Sequence, residues 1–95
     1  MYWVRIEYAE EFDEVISSQF IEVNDDLEAI RSVEIFKDGS MDFASFDEPV
    51  GKKGVCLPEG GMPEASEIFS ADGQFKSTII SEGEFGRLWS LATEI

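Results

Sequence analysis

Histidine is absent from the 95 residues of the chain. That removes the usual general base, the usual activator of a nucleophile and the commonest transition-metal ligand. The single cysteine, Cys56, sits between Val55 and Leu57 with no imidazole to lower its pKa. It reads as a small apolar residue and not as a nucleophile. A structural zinc site needs four Cys or His ligands, which this composition cannot supply. Asn24, Asp26 and Glu28 alternate as the first ligands of a calcium loop do, but Ala29 stands where that loop needs glycine and Ile35 where it needs glutamate. Asp38, Ser40 and Asp42 fail in the same way, with Phe43 and Pro49 at those places. Gly51-Lys52-Lys53-Gly54 matches a GXXG phosphate clamp literally, but that clamp joins two helices in a basic domain, and here Asp47-Glu48-Pro49 precedes it. It also lacks the preceding strand and the Gly-Lys-Ser/Thr ending of a P-loop, so it reads as a turn within a loop. Paired carboxylates can hydrolyse glycosides, but 21 acidic residues single out no pair, and a chain this short has little room for a deep pocket. No catalytic, metal or cofactor residue emerges, and binding without catalysis is the expectation.

Charge supplies what chemistry does not. Against 21 acids stand 7 bases, a formal net charge of −14. Residues 1–50 hold 14 acids and only Arg5, Arg31 and Lys37, whereas residues 51–95 hold seven acids with Lys52, Lys53, Lys76 and Arg87. Such a field repels nucleic acid and anionic lipid, attracts cationic partners and speeds their encounter. It also exceeds what solubility alone requires. No apolar run approaches the roughly 18 residues of a membrane span, the N-terminus lacks a signal-peptide pattern, and one cysteine allows no internal disulfide. A cytoplasmic location is expected.

The elements that position these residues follow from periodicity. Tyr2, Val4, Ile6 and Tyr8 alternate with Trp3, Arg5 and Glu7, the pattern of a half-buried strand. After an acidic connection at 9–14, residues 15–23 are again strand-like. Asn24-Asp25-Asp26 marks a turn, and residues 27–30 either start a helical turn or lead into the next strand. Residues 31–37 and 40–45 read as two strands around Asp38-Gly39, a type I′ hairpin signal. Residues 47–63, broken by Pro and Gly, form one long loop. A short helix is expected from Pro63 to Phe69, because proline and acids suit a first helical turn. Residues 75–80 are extended, with their place in the sheet left open. Ser81 and Glu84 form a capping box. Phe85, Leu88, Trp89 and Ala92 then make one apolar stripe of a C-terminal helix. The expected architecture is a single α+β domain over residues 1–95: an antiparallel four-stranded meander, with the C-terminal helix on one face and a short helix before it.

In such a meander the acids fall into two groups. Glu7, Glu10, Glu11, Asp13 and Glu14 surround the first connection. Asp25, Asp26 and Glu28 lie at the opposite end, where Asp42, Asp47 and Glu48 leave the fourth strand. These acids, with Trp3 and Phe12 as aromatic anchors, are the expected partner-binding residues.

Several segments carry a resemblance: Tyr2-Trp3-Val4-Arg5-Ile6, then Arg31-x-Val33-Glu34-Ile35-Phe36-x-Asp38-Gly39 with Ala44, then Ile80-Ser81-x-x-Glu84-Phe85-x-x-x-Trp89. Together they resemble a family of small bacterial domains of unknown function. Residues 47–63 look least like it. The resemblance transfers no catalytic residue. It implies a likeness to immunity proteins of toxin loci such as contact-dependent growth inhibition systems, which bind and neutralise a cognate toxin domain. The expected partner is therefore a basic toxin or nuclease domain. Carboxylates would stand where phosphates lie, giving steering and charge-assisted hydrogen bonds. The alternative is a small regulatory or structural module of a cytoplasmic complex. It would be a monomer or weak homodimer, pairing through a sheet face that no helix covers.

Overall fold

The fold is built on one row of side chains running across the sheet. A computed structural model describes residues 1–8, 16–58, 61–64 and 75–94. Its strands are β1 (Tyr2–Tyr8), β2 (Ile16–Val23), β3 (Ala29–Phe36), β4 (Met41–Ser45) and β5 (Phe75–Ile80), followed by helix α1 (Glu82–Thr93). They form one antiparallel sheet in the order β4-β3-β2-β1-β5. The expected α+β meander is present, with five strands in place of four. Residues 75–80 join it by pairing with β1, Trp3 opposite Ile80 and Tyr8 opposite Phe75. The expected short helix falls largely on residues outside those described. Residues 27–30 resolve toward the strand: Leu27 takes φ 62° in the turn, and β3 begins at Ala29.

The Asp38-Gly39 hairpin forms, but not as a type I′ turn. Only Gly39 takes positive φ, at 90°. The Gly39 amide donates to the Phe36 carbonyl and the Phe36 amide to that of Ser40, both at 2.9 Å. This is the three-residue loop in which an ordinary turn is followed by a left-handed glycine. Asp38 accepts the Ser40 amide at 2.8 Å and its hydroxyl at 2.6 Å, so it helps set the turn without a strained backbone.

On one face of the sheet, register sets Arg31 beside Glu22, Glu22 beside Trp3, and Trp3 beside Ile80. Glu22 is buried at 4% exposure and would be costly alone in an apolar layer. Arg31 meets it with two parallel bonds, Nε to Oε1 at 2.6 Å and a terminal nitrogen to Oε2 at 2.8 Å. The Trp3 indole N–H donates to Oε2 at 2.8 Å. Helix α1 roofs the pair. The Arg31 guanidinium lies 4.9 Å from the Trp89 ring centre and 5.1 Å from that of Phe85, within cation–π range. Phe43 meets Trp89 edge-on at 5.3 Å. The expected stripe is therefore the packing face: Phe85 and Ala92 are buried, and Leu88 and Trp89 pack beside them on Phe20 and Val33. Ser81 caps the helix by accepting the Glu84 amide at 3.1 Å. The Glu84 carboxylate turns to Arg5 at 3.3 Å.

The opposite face is covered by the long loop. Tyr2, Val4, Ile21, Val23 and Ala29 form its core, with Leu57 and Met62 packed on them. Met62 donates to the Leu27 carbonyl at 2.7 Å, and the Tyr2 hydroxyl donates to that of Pro63 at 2.6 Å. Within the loop a small hairpin pairs Val50 with Cys56, and Gly54 donates to Gly51 across its tip. Asp42, 4% exposed, accepts the amides of Lys52, Lys53 and Val55 at 3.1, 2.8 and 3.3 Å. A side chain at Gly51 would overlap the Phe43 carbonyl and both Asp42 carboxylate oxygens, so only glycine lets the loop close on β4.

Two stability predictions follow from these contacts. The Arg31 hydrogen bonds hold the Glu22 carboxyl below its ordinary value of 4.5. Its stabilising contribution is therefore complete above pH 4.5 and is lost as pH falls through the lower folded value. In urea titrations Glu22→Gln should be less stable than the parent at pH 7, with the gap narrowing below pH 4.5. Arg31→Met, which strands the buried carboxylate, should cost about 3 kcal/mol at pH 7. A pH-independent gap would contradict the pairing. Separately, Gly51→Ala should lower stability by about 1–3 kcal/mol through overpacking, whereas Gly61→Ala, with open space around it, should not.

Candidate interaction surface

Which acids remain for binding is decided by what each carboxylate already touches. Glu22 and Asp42 are interior groups held by Arg31 and by loop amides respectively. From the sequence, Asp42 is expected on an exposed acidic patch. The structure places it under the 51–55 turn instead, because strand alternation points it, with Ala44, at the loop-covered face. The same contact settles the GXXG motif. The amides of Lys52 and Lys53, which a phosphate clamp would offer to its ligand, are taken by a carboxylate of the chain itself.

Asp25, Asp26 and Glu28 are exposed on the β2–β3 turn. Asn24 shapes it, its side-chain oxygen accepting the amides of Asp26 and Glu28 at 3.0 and 2.9 Å. Asp47 and Glu48 are exposed where the chain leaves β4. The β3–β4 register brings both segments to the same end of the sheet, since Ser45 faces Arg31 and the Phe46 amide donates to Ile30 at 3.0 Å. Among the described residues, the cation that meets this group is the N-terminal ammonium of Met1, on Asp25. Glu7 is paired with Arg5 at 3.0 Å. Glu10, Glu11, Phe12, Asp13 and Glu14 lie outside the described residues.

Of the two expected aromatic anchors, Phe12 lies outside the described residues and Trp3 is turned toward the helix-side core. Trp3 is half-buried, its indole N–H on Glu22 and its ring in the helix-side core. Phe46 is 75% exposed in the middle of the acidic end. Its backbone is fixed on both sides: its own amide on Ile30, the Ser45 amide on the Glu48 carbonyl at 2.9 Å, and the Glu48 amide on the Ser45 hydroxyl at 3.2 Å. A large exposed apolar ring on an ordered turn, at a sheet end whose turns also carry exposed carboxylates, has the composition of an interface centre with a polar rim. The signal for it lay in the sequence. Phe46 follows the last strand residue and precedes Asp47-Glu48-Pro49, where no apolar periodicity claims it.

Among the described residues, no group of three or more His, Cys, Asp and Glu side chains is arranged to hold a metal ion. No helix there is long and apolar enough to cross a membrane. Comparison with curated proteins and with solved structures finds no match. A family profile does match, over residues 2–94, and by it the chain belongs to the family described as Domain of unknown function (DUF6881).

Proposed function

We propose that this domain binds and neutralises a cationic protein, as an immunity or inhibitor protein for a basic toxin domain, a nuclease by preference. The observation that carries the reading is the exposed Phe46 set among Asp25, Asp26, Glu28, Asp47 and Glu48 at one end of the sheet. Asp25 meets the Met1 ammonium, whereas Asp26, Glu28, Asp47 and Glu48 are exposed with no ion pair among the described residues, so their field extends outward and steers a positive partner. The ring supplies apolar area that a field alone lacks. Around a desolvated aromatic centre, charges on the rim set orientation and association rate more than final affinity. A nuclease fits because its substrate site is built for phosphate, which clustered carboxylates imitate in charge.

A second reading, a self-associating module, is favoured by one observation. Strand β5 is an edge of the sheet, and Ile79 on it is 44% exposed. The other route to pairing, a bare sheet face, is reduced by Leu57 and Met62, which pack on that face. Sedimentation equilibrium of the pure chain separates the two readings, since a monomer at high concentration counts against self-association.

The direct test is capture of a basic protein on the immobilised full chain, starting with the product of the adjacent gene. Phe46→Ala should weaken such a complex by about 2 kcal/mol, chiefly through faster dissociation. Neutralising Asp25, Asp26, Asp47 and Glu48 together should slow association and flatten its salt dependence. Binding indifferent to both salt and Phe46 would refute the proposal.

A further inference from the structure

The small hairpin that pairs Val50 with Cys56 turns both of those side chains to water. Val50 is 61% exposed and Cys56 is exposed. The Gly51 amide donates to the Val55 carbonyl at 2.7 Å and the Leu57 amide to that of Pro49 at 3.0 Å. These bonds flank the Val50–Cys56 pair and do not join it, which is the arrangement that brings opposed side chains closest. We infer that this face is an apolar contact for the same cationic partner, which must carry an apolar surface beside its basic one. The contact rests on the proposed function and continues its surface along the chain from Phe46 to Val50 and Cys56.

Three observations carry it. The first is placement. Gly51 and Val55 turn inward, Gly51 against Asp42 and Val55 to 4% exposure, so alternation sends Val50 and Cys56 outward together. Valine and cysteine are among the residues most often buried, and a face that meets only water ordinarily carries polar ones. The second is rigidity. The flanking bonds, the Gly54 amide on the Gly51 carbonyl and the three amides on Asp42 fix the hairpin, so little freedom is lost when a partner covers it. The third is charge, which selects the occupant. Asp47 and Glu48 are exposed between Phe46 and Val50, and their turn, closed by the Ser45 amide on the Glu48 carbonyl, runs straight into Pro49 and the hairpin. A second copy would bring the same two acids and its own net charge of −14 to this face, whereas a basic partner meets them with opposite charge. Lys52 and Lys53, exposed at the hairpin tip, oppose a cation. They therefore set the partner's apolar surface over the hairpin and its basic surface over the acidic turns.

The probe is the basic protein retained by the immobilised full chain, starting with the product of the adjacent gene. Cys56 is the only cysteine of the chain, so its alkylation by iodoacetamide, read from the mass of the parent chain, reports on this face. Bound partner should slow that alkylation in proportion to the fraction of chain occupied. Val50→Ser should weaken the complex about tenfold, chiefly through faster dissociation. Its salt dependence should match that of the parent, because no charge is removed. Alkylation as fast in the complex as in the free chain, while Phe46→Ala still weakens binding, would overturn the inference and leave the proposed function standing. A chain that retains no basic protein would remove both. Alkylation that slows in the pure chain as its concentration rises would put a second copy on the face and overturn the inference as well.

Discussion

A buried carboxylate must be answered, and in this chain the answer to Glu22 organises everything on one side of the sheet. Arg31 reaches it from the neighbouring strand with a two-pronged contact, and Trp3 reaches it from the other side. Three strands are thereby fixed in register at one level, because a slip of one residue would turn each of these groups to the opposite face. The Arg31 guanidinium in turn is flat and weakly hydrated, which lets aromatic rings lie on it. Phe85 and Trp89 do so, and that contact fixes where α1 sits. Helix position, sheet register and one buried charge pair are a single constraint. Such a pair adds less net stability than its geometry suggests, since both ions lose water. Its larger effect is to make the alternative arrangements costly.

The other face uses the same logic with different groups. Asp42 is a second interior carboxylate, answered by three backbone amides of the loop instead of by a side chain. The result is a loop rich in Gly and Pro that is nonetheless fastened to β4 and covers the apolar face with Leu57 and Met62. It also crosses an edge strand at Gly51, which shields part of that edge from pairing with another chain. Glu22 and Asp42, both acids of the first half, are thus buried, so net charge overstates what is available to a partner. The exposed remainder at the β2–β3 and post-β4 turns faces outward, with Phe46 among it.

Much of this was legible in the sequence where the information is local. Alternation over Tyr2–Tyr8, Asp38-Gly39 between two apolar runs, and Ser81 with the Phe85-Leu88-Trp89-Ala92 stripe all specify their elements within a few residues. What escaped depends on distant partners. Phe75–Ile80 becomes a strand because β1, some 70 positions earlier, offers it an edge. Asp42 reads as a surface acid because the amides that bury it belong to a loop whose path no pattern encodes. Trp3 reads as an anchor because its indole partner, Glu22, comes from the neighbouring strand and is distant in sequence. The type of the Asp38-Gly39 turn was missed for a local reason: Asp38 keeps negative φ by bonding Ser40, so Gly39 alone turns the chain. The segments that carried the resemblance, among them Trp3, Arg31, Phe85 and Trp89, hold the architecture together. Residues at the proposed contact, Asp25, Asp26, Phe46 and Asp47, lie outside them.

The central claim is that this scaffold exposes one acidic, Phe46-centred end for a cationic protein. Amide hydrogen exchange of the full chain, alone and saturated with a captured basic partner, tests it directly. The account predicts new protection concentrated at residues 24–30 and 45–48, with the α1 amides unchanged. Protection centred instead on α1 or on the β5 edge, with the two turns unaffected, would contradict it.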